Sequence, residues 1–366
     1  MKILFISLGC DKNLADSETM LGLLASRGYQ IVDTEEDADV IIVNTCCFIH
    51  DAMEESIETI LQMAEYKKSG SLKALIVTGC MAERYREEIT KEIPEVDAVL
   101  GTASYGHILD AVDGALAGQS YLKMEPLDTL PLVNTHRMVT TGGHYAYLKI
   151  AEGCDKHCTY CIIPKLRGNF RSVPMEHLLR EAKQLADDGV KEIILVAQET
   201  TLYGKDLYGE KKLPELLRRL CKISGIRWIR ILYCYPEEIT EELIQTIKEE
   251  PKICHYLDLP IQHASDDVLK RMGRRTSKEE LIHIISRIRE EIPDITLRTT
   301  LITGFPGETQ EEHEELMDFI DEMEFDRLGV FTYSPEEDTP AAIMPDQIDE
   351  EVKKDRQAEL MELQQE

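Results

Sequence analysis

Three apolar runs near the start of the chain each close on a cysteine: Ser7-Leu8-Gly9-Cys10, Val43-Asn44-Thr45-Cys46 and Val77-Thr78-Gly79-Cys80. The cysteines lie 36 and 34 residues apart, which is the length of one strand plus one crossover helix. Helical patterns fill the gaps at residues 17–26, 52–66 and 83–91, and a short strand at Ala98–Leu100 leads to a further helix at 107–115. Alternation of this kind predicts a parallel, doubly wound α/β sheet. In such a sheet ligands bind at the carboxyl ends of the strands, so three thiols from distant sequence should meet at one crevice. A buried cysteine often serves as a small hydrophobe, and any one of these alone would read as core. Three at equivalent places in successive units are hard to ascribe to packing. Cys47 adjoins Cys46, but alternation along an extended chain turns its side chain away, and it stays outside the ligand set.

A second alternating pattern begins at residue 144. Its strands are expected at 145–151, 192–197, 228–232, 256–259, 296–302 and 327–332, with helices near 175–188, 213–224, 238–248, 278–290 and 311–323. Six βα units predict a partial (β/α)6 barrel with its chemistry on the carboxyl-terminal rim. The loop after the first of these strands reads Cys154-Asp155-Lys156-His157-Cys158-Thr159-Tyr160-Cys161. Three soft thiolate donors in one short loop suit iron–sulfur or zinc. A structural zinc site needs a fourth ligand. His157 sits badly for that role in so tight a loop, and no second Cys-x-x-Cys follows. Three cysteines and a vacant corner describe a 4Fe–4S cluster with one open iron, against the alternatives of zinc and of purely structural thiols. The other strand ends carry Gln198-Glu199-Thr200-Thr201, Tyr233-Cys234-Tyr235-Pro236, Pro260-Ile261-Gln262-His263 and Thr303-Gly304-Phe305-Pro306-Gly307-Glu308. The expected organisation is an N-terminal α/β domain over 1–120, a linker over 121–143, the barrel over 144–346 and a charged helix over 347–366.

Charge and cysteine usage narrow the function. The 366 residues carry 41 basic and 69 acidic side chains, a formal net charge of −28. Such a field repels a phosphate backbone and suits a basic protein partner. Ten cysteines in a chain of this length are too sparse for a disulfide scaffold and read as metal chemistry in a reducing compartment. The start, Met1-Lys2 followed by apolar residues up to Cys10, mimics a lipoprotein signal, but its apolar core is too short and cleavage would remove a strand. No stretch approaches membrane-spanning length. A cytoplasmic protein is expected.

The two cysteine sets, one on a doubly wound domain and one in the C-x-x-x-C-x-x-C spacing of a barrel loop, resemble the methylthiotransferase branch of the radical S-adenosylmethionine (SAM) enzymes over essentially the whole chain. Several strings are similar to the branch that modifies an aspartate of small-subunit ribosomal protein S-twelve. They are Ser7 to Asn13 with Asp16-Ser17-Glu18, Asn44-Thr45-Cys46 running into Phe48-Ile49, and Val196 to Thr201 with Tyr203-Gly204. Tyr233 to Pro236, Pro260 to His263, Arg298 to Thr309, and Phe331 to Ser334 with Glu336-Glu337 complete the set. Cys47 and Asp338 stand where that branch usually has glycine, and the family's C-terminal TRAM domain does not occur in these 366 residues.

The resemblance implies a methylthio group added to the β-carbon of the aspartate, a C–H bond that no side-chain base can open and that needs a radical cofactor. It implies that Cys154, Cys158 and Cys161 hold the 4Fe–4S cluster that cleaves SAM, and that Cys10, Cys46 and Cys80 hold a second one carrying sulfide or a polysulfide. SAM would serve as both methyl donor and radical source. Gln198, Glu199, Arg298 and Thr303 become its candidate contacts. A flavodoxin or ferredoxin would supply electrons, and the enzyme is expected to act as a monomer with nucleic acid not its primary partner. A tRNA methylthiotransferase is the second reading; Lys165, Arg167, Arg171, Lys270, Arg271, Arg274 and Arg275 could form the basic patch it needs. A non-enzymatic iron–sulfur carrier or redox sensor is the third, and it leaves the barrel rim unexplained.

Overall fold

The computed structural model describes residues 1–133 and 135–365. Its strands in chain order are β1 (Lys2–Ser7), β2 (Gln30–Val32), β3 (Val40–Thr45), β4 (Ala74–Gly79), β5 (Ala98–Leu100), β6 (Tyr121–Lys123), β7 (Tyr145–Lys149), β8 (Ala151–Glu152), β9 (Arg171–Ser172), β10 (Glu192–Val196), β11 (Trp228–Ile231), β12 (Ile253–Gln262), β13 (Thr296–Thr303) and β14 (Arg327–Thr332). They divide between two compact units. One comprises the described residues of Met1–Gly143 with Ile163–Val173, the other His144–Ile162 with the described residues from Pro174 onward. No helix among the described residues is long and apolar enough to cross a membrane.

The first unit is built on a parallel sheet in the order β2-β1-β3-β4-β5-β6. The Val/Ile-rich strands β3 and β4 are buried at every residue, as expected where helices cover both faces of a parallel sheet. Ile3, Val40, Ile42 and Ile76 of the strands pack with Met20 and Leu24 of the helix Asp11–Ser26 and with Ile108 and Val112 of the helix Ile108–Leu116. The chain steps from β1 outward to β2 and then returns to the other side of β1 as β3. Strand order therefore reverses between β1 and β3, the place where open α/β sheets bind ligands.

Four features add to or depart from the sequence reading. β2 and β6 are three-residue strands at the two sheet edges, too short to show any alternation. β6 pairs with β5, so residues 121–123 of the expected linker belong to the sheet. The segment Ile163–Val173, assigned by sequence to the barrel, belongs to the first unit, where the Thr102 hydroxyl donates to the Leu166 carbonyl at 2.6 Å. Finally, the first helix starts at Asp11 rather than at residue 17. Its first turns bury the polar residues Asn13 and Asp16, so they carry no hydrophobic period.

The second unit holds a parallel sheet in the order β14-β13-β12-β11-β10-β7. The six strands of this sheet lie across it in chain order, with β7 and β14 at the two edges, as in a partial (β/α)6 barrel. The helices Lys278–Glu291 and Gln310–Met323 open with capping boxes, Ser277 with Glu280 and Thr309 with Glu312. Each box satisfies two helix-end donors reciprocally. The last helix, Glu350–Leu363, buries charged residues. Lys353 Nζ donates to the Tyr333 carbonyl at 3.0 Å and Arg356 Nη1 to Glu308 Oε1 at 2.8 Å.

The turn that delivers Cys80 depends on Gly79. Its φ is +93°, and a Cβ there would stand 2.3 Å from Asn44 Oδ1 and 2.5 Å from the Thr45 carbonyl oxygen. Gly79→Ala is expected to cost about 1–3 kcal/mol. A urea titration followed by circular dichroism checks this, and an unchanged midpoint would mean that the turn relaxes freely.

Candidate metal centres

The first centre grows from the carboxyl ends of β1, β3 and β4, three adjacent strands. Cys10 is the residue that caps the start of the helix Asp11–Ser26, and Cys80 is the first residue of the helix Cys80–Glu92. Cys46 directly follows β3. The register pairs Ser7 with Asn44 and Thr45 with Gly79, so the cysteines leave neighbouring strands about 4.8 Å apart at nearly the same height. Two of them sit at helix N-termini, where the backbone favours negative charge. Gly9 permits the close approach: with φ +86°, a Cβ there would lie 2.7 Å from the Cys46 Cβ.

Asn13 ties the three strand ends together. Its Nδ2 donates to the Leu8 carbonyl at 3.1 Å and to the Thr45 carbonyl at 2.9 Å, and its Oδ1 lies 3.9 Å from the Cys80 thiol. The Arg167 guanidinium completes the crevice, bonded to Asp16 Oδ2 at 2.8 Å and to Asn13 Oδ1, with Nη2 at 3.6 Å from Cys80 Sγ. Burial pushes the Cys46 thiol up and the Cys80 thiol up to about 12, so each keeps its proton unless a metal displaces it. Among the described residues no group of three Cys, His, Asp or Glu side chains is already placed to hold a metal ion; the three thiols lie close enough for Cys46 and Cys10 to push the Cys80 thiol up, and Cys10 is the exposed one. The donor set fits a group that takes three thiolates and leaves one corner open. Cys47 is fully buried. Burial holds its thiol well above the ordinary range, and the next contribution comes from Cys80, ahead of Cys46.

The second centre is the loop after β8. Cys154 and Cys158 are buried and Cys161 half-buried. Left-handed backbone at Gly153 (φ 78°) and at His157 (φ 53°) curls the loop, and the Cys161 amide donates to the Cys158 carbonyl at 3.0 Å. Thr159 anchors it: its amide donates to the Met272 carbonyl at 2.9 Å and its hydroxyl to the Arg271 carbonyl at 2.8 Å. The Tyr235 hydroxyl lies 3.8 Å from Cys158 Sγ. Lys156 Nζ and the Arg274 guanidinium stand 4.8 and 4.3 Å from the Tyr235 ring centre, a cation–π arrangement strengthened by burial. Lys156 also meets Glu238 at 2.5 Å and Glu199 at 4.0 Å. Burial pushes the Cys154 thiol up to about 12.

The four candidate SAM contacts separate into two kinds. Gln198 and Glu199 follow β10. Gln198 Nε2 donates to Glu152 at 2.8 Å while its Oε1 is buried without a partner. Glu199 Oε1 accepts from the Thr201 amide at 2.9 Å, and its Oε2 is buried without a hydrogen bond, with Lys156 Nζ 4.0 Å away. Two adjacent buried acceptors without donors suit a ligand that brings N–H or O–H groups, such as an ammonium. Arg298 and Thr303 are engaged within the unit: Arg298 Nη1 pairs with Asp258 Oδ1 at 2.6 Å, and the Thr303 hydroxyl faces Glu308 Oε1 at 3.3 Å. Of the seven basic residues considered for tRNA, Lys165, Lys270 and Arg275 are exposed and the other four are buried or engaged. Arg167, Arg171 and Arg274 are buried, and Arg271 pairs with Glu312 at 2.9 Å. Sequence reasoning missed Asn13, Arg167, Tyr235 and Lys156 as parts of the two centres. Asn13 and Tyr235 stood inside family-like strings, but nothing local signalled what they would touch.

Burial pushes the Glu199 carboxyl up to about 7, with Thr201 and Lys156 pulling it back. A carboxyl raised in the folded state costs stability as pH climbs from its unfolded value to about 7, and the cost is constant above that. In the cluster-free protein, Glu199→Gln should therefore gain stability over the parent between pH 5 and pH 8, on the order of 3 kcal/mol. Denaturant midpoints at the two pH values measure this, and a difference independent of pH would contradict it.

Comparison with known proteins finds relatives across the whole chain. Residues 2–101 match the Uncharacterized protein family UPF0004, and residues 148–320 match the Radical SAM superfamily. The chain is 68% identical over 365 residues to the Ribosomal protein uS12 methylthiotransferase RimO of Lachnoclostridium phytofermentans, covering 100% of this chain and 83% of that protein. It is 53% identical over 365 residues to the protein of the same name from Clostridioides difficile, covering 82% of it. Among solved structures, the radical S-adenosylmethionine methyltransferase TsrM from Kitasatospora setae, with cobalamin and a [4Fe-4S] cluster bound, shares the fold. It has TM-score 0.65 and 13% identity, covering 93% of this chain and 77% of that one. The cobalamin-dependent radical enzyme OxsB, with aqua-cobalamin and S-adenosylmethionine bound, follows at TM-score 0.60 and 14% identity, covering 99% of this chain and 56% of that one. With two matched regions and full-length relatives this similar, the chain belongs to the RimO methylthiotransferase family of radical SAM enzymes.

Proposed function

We propose that this protein adds a methylthio group to the β-carbon of an aspartate of ribosomal protein uS12, with Cys154, Cys158 and Cys161 holding one 4Fe–4S cluster and Cys10, Cys46 and Cys80 a second. The observation that carries the reading is the second thiol set, brought to one crevice by three adjacent strands of a domain outside the barrel. Simple SAM cleavage has no use for it, and sulfur insertion does. When bound, the clusters and SAM supply the radical that removes the hydrogen, the sulfur and the methyl group.

The chain's own residues prepare the two centres. Cys46, Cys80 and Cys154, held protonated by burial, release their protons as metal binds, so loading improves as pH rises. Gln198 Oε1 and Glu199 Oε2, buried without a hydrogen bond, would accept from the ammonium of SAM, which together with Lys156 Nζ at 4.0 Å would hold Glu199 ionised. Arg298 and Thr303 would join that contact set only by leaving their partners Asp258 and Glu308. Tyr235 packs beside Cys158 under two cations and restricts water at that sulfur. The acidic surface favours a basic ribosomal protein over a phosphate backbone. A low-potential flavodoxin or ferredoxin as electron donor, a monomer and a cytoplasmic setting complete the reading.

Two clusters mean roughly eight irons per loaded chain. Replacing Cys154, Cys158 and Cys161 by alanine should halve the iron and stop 5′-deoxyadenosine formation. Replacing Cys10, Cys46 and Cys80 should also halve it, but SAM cleavage should persist while sulfur insertion stops. Full iron content in either variant would refute the ligand assignment. For the substrate, the reconstituted enzyme with SAM, reductant and sulfide is offered a peptide of the uS12 target loop and a hypomodified tRNA in parallel. The expected product is the peptide, with one S–CH3 in place of one hydrogen by mass spectrometry. A methylthiolated tRNA beside an unchanged peptide would overturn the substrate assignment and leave the radical chemistry standing.

A further inference from the structure

Arg167 holds no iron in the proposed function, yet it is built into the first centre. It follows Cys161 by six residues in the sequence but folds with the N-terminal unit. Its side chain is 2% exposed. Nη1 donates to Asp16 Oδ2 at 2.8 Å, and Nη2 donates to Asn13 Oδ1 and lies 3.6 Å from Cys80 Sγ. The backbone around it is pinned. The Leu166 carbonyl accepts from Thr102 at 2.6 Å, the Arg167 carbonyl from Arg171 Nη1 at 3.0 Å, and Gly168 takes a left-handed φ of +72° against the Leu127 carbonyl.

A buried ion pair is a poor stability device, because desolvation cancels most of its attraction and apolar side chains of equal volume serve as well. This pair is also placed so that the guanidinium, not the carboxylate, points at a cysteine sulfur. Hydrogen bonds to cluster sulfurs and nearby charge are among the levers that set a cluster's potential. An added electron makes a three-thiolate cluster more negative, and a buried cation a few ångströms away favours that state strongly in a low-dielectric site.

We infer that Arg167 is an electrostatic positioning residue of the N-terminal cluster. Through its N–H···S contact to Cys80 it raises the reduction potential, and Asp16 opposes it. The inference rests on the reading that Cys10, Cys46 and Cys80 hold a cluster. It assigns the segment after the barrel's cysteine loop a task in the other domain.

The test is a redox titration followed by electron paramagnetic resonance on the full chain, with Cys154, Cys158 and Cys161 changed to alanine so that only the N-terminal cluster reports. Arg167→Met should lower the reduced-to-oxidised ratio at fixed potential on the order of tenfold, which is about 59 mV for a one-electron couple. Arg167→Lys should recover much of that shift, and Asp16→Asn should move the potential the other way. Poor folding would lower iron content in these variants but would not send the two substitutions in opposite directions. If Arg167→Met loads parental iron and titrates at the parental potential, the inference fails while the cluster reading survives. If Arg167→Met cannot be loaded, a parental potential in Asp16→Asn overturns it just as firmly. If the three-alanine parent holds no cluster at all, the reading of the centre falls and the inference with it.

Discussion

Parallel strand order is the constraint on which the first centre depends. A parallel ladder sends every strand's carboxyl end to the same sheet edge, at a spacing of about 4.8 Å. With β1, β3 and β4 side by side, cysteines that are 36 and 34 residues apart in the chain become neighbours. The hydrophobic burial of β3 and β4 therefore does chemical work at a distance: it fixes the register that places Cys46 beside Cys80. Gly9 and Gly79 then let the backbone turn sharply enough that no side chain blocks the crevice. The reversal of strand order between β1 and β3 leaves this crevice open instead of roofing it with a crossover.

The second centre solves a different problem. Its three thiols come from one loop, so spacing alone brings them together, and the fold's task is to hold that loop and line its surroundings. The Thr159 hydrogen bonds to the 271–272 backbone anchor the loop. Around it lie buried polar atoms that the protein leaves unsatisfied, Gln198 Oε1, Glu199 Oε2 and Gln262 Oε1. Such atoms are costly in a finished core. They sit at the ends of β10 and β12, where a polar ligand would satisfy them. The raised Glu199 carboxyl reports the same cost in another form.

Charge divides between surface and interior. The excess of acidic over basic residues gives the chain its −28, while several of its arginines are spent inside. Arg167 meets Asp16, Arg356 meets Glu308, and Arg274 lies over Tyr235. Arginine suits these places because its guanidinium is weakly hydrated and spreads its donors in a plane. Two of these arginines, Arg167 and Arg274, are thereby taken from a set of basic residues that, read along the sequence, resembled a phosphate-binding patch, while Lys165, Lys270 and Arg275 stay exposed.

The sequence by itself determined the periodic features: the alternation of strands and helices, the Cys154-Cys158-Cys161 loop, and the recurrence of Cys10, Cys46 and Cys80 at strand ends. These are legible because backbone hydrogen bonding and face burial impose local periods of two and 3.6 residues, and a short ligand loop carries its spacing within itself. What only the tertiary structure decided was every relation that crosses long stretches of chain. Asn13 joins the ends of β1 and β3, the segment Ile163–Val173 leaves the barrel's sequence to fold with the other unit, Arg167 reaches Cys80, and Arg298 is taken up by Asp258. Side-chain hydrogen bonds of this kind have no period, and each forms only where folding has already excluded water. The short edge strand β2 escaped for a related reason: its pairing comes from a neighbour already in place, and three residues are too few to announce it.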